Sequence, residues 1–144
     1  AKALNLFCKI DFLDDKPGLA IGSIDEYEKY SNDYKYAFVA LGNLNNRYQL
    51  VRLLANCYII PTIIHPTAYV SPSAFLGAGC YVGARAVINA NSVLKDGCII
   101  GIGALVDHDC EIGEFSYVNA GAIVKASCKV DSFKKIDAGI VYHG

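Results

Sequence analysis

From residue 64 onward the chain keeps one hydrophobic phase without a slip. Ile64, Val70, Leu76, Val82, Ile88, Leu94, Ile100, Val106, Ile112, Val118, Val124, Val130 and Ile136 are all aliphatic, thirteen consecutive hits at a spacing of six. With roughly a quarter of the chain Ile, Leu or Val, chance gives such a run a probability on the order of 10⁻⁸. A second column follows four residues behind the first. It reads Ala68, Ala74, Cys80, Ala86, Ser92, Cys98, Ala104, Cys110, Ser116, Ala122 and Cys128, all small. The residue right after each aliphatic is often Gly, Asn or Asp, as at Gly77, Gly83, Asn89, Gly101, Asp107, Gly113 and Asn119. These types tolerate turn conformations.

This pattern predicts a parallel β-helix of hexapeptide repeats. Each hexad is a short strand plus a turn, and three hexads close a triangular coil of about 18 residues. The aliphatic fills the coil interior and the small residue sits where the interior narrows. Strands of successive coils pair at about 4.8 Å. The repeat therefore predicts a little over four coils across residues 64–140.

The first sixty residues follow another rule. Phe7–Phe12 reads as a short apolar strand and residues 14–18, DDKPG, as a turn. Ser23 and Glu26 form a capping box that opens a helix through about Tyr30. Tyr36–Leu41 reads as a buried strand, and Gly42–Asn45 turns into a second helix with an apolar stripe of Leu44, Tyr48, Val51 and Leu54. Tyr58–Ile60 is a third short strand, and Pro61 and Pro66 mark the junction. Alternating strands and helices predict a small α/β unit with a parallel sheet, a partial Rossmann-like domain over 1–62, followed by a β-helix domain over 63–144. The Gly-rich loop that opens a complete nucleotide-binding domain is not in this sequence. The chain has no Met, and AKALNLF reads like the end of an element, so a native N-terminus is expected upstream.

Composition narrows the function classes. Of 144 residues 53% are hydrophobic and 19% charged, which fits a globular chain rather than a disordered one. Thirteen basic residues against 14 acidic give a net charge of −1, so no nucleic-acid partner is expected. Apolar runs are too short to cross a bilayer, so no membrane partner is expected, and no signal peptide opens the chain. A cytoplasmic location follows as the default. The six cysteines form no C-x-x-C pair, so no metal is expected. Cys80 and Cys98, like Cys110 and Cys128, are 18 apart and should stack on adjacent coils as small buried hydrophobes rather than disulfides. Cys8 and Cys57 read as core thiols.

Three histidines remain, His65, His108 and His143. His65 reads as a turn residue and His143 lies next to the last residue. His108 follows the inward Val106 in a turn and is flanked by Asp107 and Asp109. A carboxylate can hold one ring nitrogen as donor and leave the other as a base. That suits proton removal from an amine or hydroxyl attacking an acyl group. The bland alternative is a surface histidine between solvated acids.

The segments IDFLDDKPG, FVALGNLNNR, PTIIHPTAYVSPSAFLGAG and VDHDCEIGEFSYVNAGA occur in that order. Together they resemble the bacterial sugar O- and N-acyltransferases of the left-handed β-helix class, which include sialic-acid O-acetyltransferase-like and UDP-4-amino-sugar N-acetyltransferase proteins. The resemblance spans about residues 8–130. It implies an N-terminal domain that binds the nucleotide of a nucleotide sugar, a homotrimer, and acetyl-CoA lying between neighbouring β-helices as acyl donor. It implies His108 as general base with Asp109 as its polarising partner. It places Asp14, Asp15, Gly42 and Asn43 at the nucleotide sugar, and the backbone around Gly121 and Ala126 at acetyl-CoA. Tyr117 stands where many N-acetylating relatives carry a second histidine, and is expected at the substrate. Gly101 stands where several have Asn. Relatives also continue for roughly two more coils. The implied activity is acetylation of a sugar amine or hydroxyl in glycan biosynthesis. The alternative is a shortened, non-catalytic β-helix that binds a nucleotide sugar or serves as a trimeric scaffold.

Overall fold

A computed structural model describes residues 7–16 and 18–144. The readings of residues 1–6 and of Pro17 lie outside the described residues.

The hexads form fourteen two-residue strands, β1 (Ile63–Ile64) through β14 (Val141–Tyr142), each followed by a turn. They stack into three parallel faces. The first face is β1-β4-β7-β10-β13, the second β14-β11-β8-β5-β2 and the third β12-β9-β6-β3. Every pairing is offset by 18 residues, as in Ile63↔Tyr81 and Val106↔Val124. The result is a parallel β-solenoid of between four and five coils. A coil shorter or longer than 18 would rotate the aliphatic column off the axis, so the strict period fixes the register.

The inward column is the core. Val82, Ile88, Leu94, Ile100, Val106, Ile112, Val118 and Val124 are fully buried. Each such side chain contributes about 1.5–3 kcal/mol by leaving water. The column frays at the first coil, where the order inverts: Ile63 is 7% exposed and Ile64 37%. Ile64 has no coil beneath it to close the interior, since β1 ends its face. At the other end Tyr142 takes the inward position, and the Lys134 ammonium lies 4.8 Å from its ring centroid.

The small column carries more than volume. At two of the three corners its hydroxyls and thiols tie coils together. Ser92 Oγ donates to the Asp107 carbonyl at 2.5 Å and accepts the Cys110 N–H at 3.1 Å. Ser116 Oγ donates to the Asp131 carbonyl at 2.7 Å. The Cys80, Cys98 and Cys110 thiols donate to carbonyls fifteen residues ahead, at 3.1–3.2 Å. The third corner is Ala68, Ala86, Ala104 and Ala122, with no such bond possible. Cys80, Cys98, Cys110 and Cys128 are buried and free, as expected, but Cys8 and Cys57 are exposed rather than core thiols.

The turns also depart from expectation. From Leu76 to Ile136 left-handed backbone occurs three residues after the aliphatic, not directly after it: Asn91 and Asp109 both have φ 58° and Phe115 has φ 52°. The Gly directly after an aliphatic serves close approach instead. A Cβ at Gly113 would collide with the Ser132 nitrogen of the next coil.

The N-terminal segment is simpler than the expected α/β order. It holds a 3-10 helix, Ile24–Tyr30, and one α-helix, α1 (Leu44–Leu54). The expected capping box is present, and in it the Glu26 carboxylate accepts the Ser23 N–H at 3.0 Å. Asn43 caps α1 by accepting the Asn46 N–H at 3.0 Å. Among the described residues, isolated parallel bridges at Leu13↔Gly22 and Tyr36↔Ile59 stand where the strands were expected. No Rossmann-like sheet forms among the described residues. Strand segments this short, with Phe12 and Ile59 half exposed, lack the flanking cover that parallel sheets need.

Arg47 joins this segment to the solenoid. It is 1% exposed and donates to the carbonyls of Val39, Gly79 and Gly97. Tyr48 packs edge-on against Phe115 and Phe133, which stack 5.8 Å apart where the third and first faces meet.

Candidate active site

His108 sits in the turn between β8 and β9, at the corner of the second and third faces. Its Nδ1 lies 2.7 Å from Asp109 Oδ2. An ionised carboxylate only accepts, so in the neutral ring Nδ1 carries the proton and Nε2 holds the free lone pair. The hydrogen bond to Asp109, aided by the charges of Asp107 and Asp109, raises the His108 pKa above its ordinary value. His108 in turn lowers the Asp109 pKa, with a smaller contribution from Asn91. Asp107 accepts the His108 N–H at 2.8 Å, and this bond lowers its pKa. The left-handed backbone at Asp109 aims its carboxylate back at the preceding ring.

The coil above places Lys125, Ala126 and Ser127 over Asp107, His108 and Asp109, since all pairings run at 18 residues. At three other such turns a side chain caps the following N–H. Asn89, Asp107 and Asn119 cap Ala90, His108 and Ala120, each at 2.8 Å. Lys125 has no acceptor to offer, and the Ala126 N–H has no acceptor among the described residues. A free donor thus lies one coil from the imidazole. Gly121 lies at another corner, between the first and second faces. Its N–H is taken by the Ile102 carbonyl at 2.9 Å, and the space over its α-carbon is open.

A separate cleft of about 380 Å³ lies where the N-terminal segment meets the first face. Phe38, Leu41, Gly42, Tyr81, Ile99 and Tyr117 line it, with the Arg47 guanidinium in its wall. Burial lowers the Arg47 pKa, opposed by the nearby Cys80 and Cys98. Gly42 and Tyr117, chosen separately in the sequence, meet here. Asn43 is adjacent with its side-chain oxygen used as the helix cap. Asp14 and Asp15 lie on the turn before the 3-10 helix, where they accept the Lys16 and Ile24 N–H at 2.9 and 3.0 Å. They do not line the cleft. Arg47 was missed because it is a charge inside an apolar stripe. Its register, three after Leu44 and four before Val51, was the available signal.

His65 Nδ1 accepts the Thr67 N–H at 3.2 Å and closes its own turn. Among the described residues no three His, Cys, Asp or Glu side chains converge as metal ligands. No helix among them is long and apolar enough to cross a membrane.

No protein-family model and no curated protein sequence matches the chain. Solved structures do. The acetyltransferase domain of PglB from Neisseria gonorrhoeae is 33% identical, with a TM-score of 0.87 over 99% of this chain and 82% of that one. The same domain in complex with acetyl coenzyme A matches at 32% identity and a TM-score of 0.82, over 98% of this chain and 83% of that one. PerB from Caulobacter crescentus, in complex with CoA and GDP-perosamine, is 28% identical with a TM-score of 0.81, over 92% of this chain and 76% of that one. The solenoid, its faces and these likenesses lead to one conclusion: the chain belongs to the sugar acyltransferases of the left-handed β-helix class.

Proposed function

We propose that the protein transfers the acetyl group of acetyl-CoA to the amino group of a nucleotide-linked sugar, with His108 as general base and Asp109 as its partner. The carrying observation is the His108 Nδ1–Asp109 contact of 2.7 Å, which in the neutral ring leaves Nε2 as the free nitrogen at a half-exposed corner. The likeness to proteins bound to acetyl coenzyme A, and to CoA with GDP-perosamine, supports the donor and the acceptor class.

The donor set suits an acyl thioester. The free Ala126 N–H lies beside small side chains, and the open corner at Gly121 leaves room for an extended ligand. Ala126 and the Gly121 corner would hold acetyl-CoA, which when bound supplies an activated acetyl carbonyl. His108 Nε2 takes the proton of the attacking amine. Asp109 holds the resulting imidazolium in place. The Ala126 N–H donates to oxygen where negative charge develops, a contribution of about 3 kcal/mol for a well-placed donor. The imidazolium then has a proton available for the departing sulfur.

In this reading the N-terminal segment, within residues 1–62, binds the nucleotide sugar and 63–144 is the transferase domain. Asp14, Asp15, Gly42, Asn43 and Tyr117 bind the nucleotide sugar. The cleft at Gly42 and Tyr117 lies on the first face, whereas His108 lies at the corner of the other two. A single chain therefore separates acceptor cleft and base. The second face carries an outward stripe of Tyr69, Val87, Leu105, Ile123 and Val141 without a charge. Packing of this stripe in a homotrimer would cover it and bring a neighbour's cleft toward His108. The test is calorimetry of acetyl-CoA binding, with oligomeric state by light scattering on the same sample. Binding to a trimer supports the reading; a monomer, or no binding, refutes it.

A further inference from the structure

The HDC turn rests on a ladder of side chains from the coil below. Asn91 and Asp109 are 18 residues apart, at the same corner of adjacent coils, and share the left-handed backbone at φ 58°. Asn91 Nδ2 donates to Asp109 Oδ1 at 3.1 Å, while the other oxygen, Oδ2, meets His108 Nδ1 at 2.7 Å. The rung beside it repeats the arrangement. Asn89 Nδ2 donates to Asp107 Oδ1 at 3.1 Å, and that oxygen also accepts the His108 N–H. The lower coil anchors itself in turn, because the Asn91 N–H donates to Ser73 Oγ at 3.1 Å.

Asp109 is 50% exposed in its side chain. Without an anchor such a carboxylate would rotate about its χ angles and exchange the imidazole for water. The Asn91 amide removes that freedom by fixing Oδ1, which leaves Oδ2 aimed at Nδ1. Outer partners of this kind act by orienting the group that touches the reacting atoms.

We propose that Asn91 is a positioning residue for His108: its amide holds the Asp109 carboxylate in the orientation that keeps the Nδ1 proton engaged and Nε2 free. The proposal rests on the reading of His108 as the base, and its test separates the two. Lower Asp109 acidity without Asn91 would follow from the same contact, since this bond helps hold the Asp109 pKa down. The other groups around the imidazole are Asp107 and Cys110 in its own segment and Lys125 in the coil above; the coil below offers the neutral Asn89, Ala90 and Asn91. None of these duplicates the Asn91–Asp109 bond.

Two substitutions suit the left-handed backbone and therefore spare the turn. Asn91→Gly removes the donor. Asn91→Asp replaces it with a like charge facing Asp109. The readout is the His108 ring titration by nitrogen NMR, assigned by loss of the signal in His108→Gln, together with steady-state kinetics. In Asn91→Gly the ring should titrate about half a pH unit lower and lose its Nδ1–H preference. In Asn91→Asp it should titrate higher. Both should lower kcat about tenfold with KM within about twofold. Adding Asn91→Gly to Asp109→Asn should change nothing further in the titration. An unchanged His108 titration and tautomer in both single variants overturns the proposal, even if activity falls. The expected NMR shifts in a protein without acetyltransferase activity would uphold the positioning and refute the catalytic reading instead. If Asn91→Gly fails to fold, Asn91→Asp alone decides by the direction of its shift.

Discussion

Replacing Arg47 with Met should uncouple the N-terminal segment from the solenoid. The guanidinium is buried and its donors reach three carbonyls, Val39 in the N-terminal segment and Gly79 and Gly97 in successive coils. Met retains much of the apolar stem but leaves these acceptors without their donor. Each lost bond to a charged group costs about 1.5–3 kcal/mol. Relief of the guanidinium's own desolvation offsets part of that, as the lowered Arg47 pKa implies. A net loss of about 3 kcal/mol is consistent with removing one partner from a buried charged network. With a urea m-value of about 2 kcal/mol/M, the unfolding midpoint should drop by about 1.5 M. The assay is urea unfolding at fixed protein concentration, followed by tyrosine fluorescence, since the chain has ten Tyr and no Trp. Arg47→Lys should recover less than half of the loss, because one compact ammonium cannot span three diverging carbonyls. A midpoint for Arg47→Met within about 0.2 M of wild type would refute the reasoning.

Other consequences follow from single contacts. Gly113→Val should cost at least about 2 kcal/mol in the same assay, because its β-carbon meets the Ser132 backbone of the next coil. Asn43→Ala should cost about 1 kcal/mol through the lost helix cap, whatever it does to substrate binding. Under native conditions a thiol reagent should label Cys8 and Cys57 rapidly and the other four cysteines only on unfolding. The acid limb of kcat/KM should fall as pH drops through a His108 pKa raised above 6.5, since only the neutral ring accepts a proton. Asp109→Asn should move that limb to lower pH, and an unmoved limb would remove Asp109 as the cause.

The solenoid was legible because each hexad repeats the same physical demand, and Val82 through Val124 answer it in every coil. The HDC turn was legible because Asp107 and Asp109 flank the imidazole in sequence. What was hidden depends on contacts 18 or more residues apart. Asn91 looks like an ordinary turn residue until the coil above brings Asp109 to it. Arg47 looks solvent-facing until the carbonyls of Gly79 and Gly97 surround it. Phe115 and Phe133 occupy left-handed positions where Gly or Asn is favoured, because Tyr48 gives their rings a partner. The N-terminal strands were over-read, since apolar runs such as Tyr36–Leu41 indicate burial but not the neighbours a sheet requires.

The central claim is an acetyl transfer that depends on one imidazole. The direct measurement is release of CoA from acetyl-CoA in the presence of a panel of nucleotide-linked amino sugars, with the acetylated product identified by mass. The account predicts turnover with at least one amino sugar, lost by about a hundredfold or more in His108→Ala while acetyl-CoA binding persists. Turnover undiminished in His108→Ala, or none with any nucleotide-linked amino sugar despite acetyl-CoA binding, would contradict it.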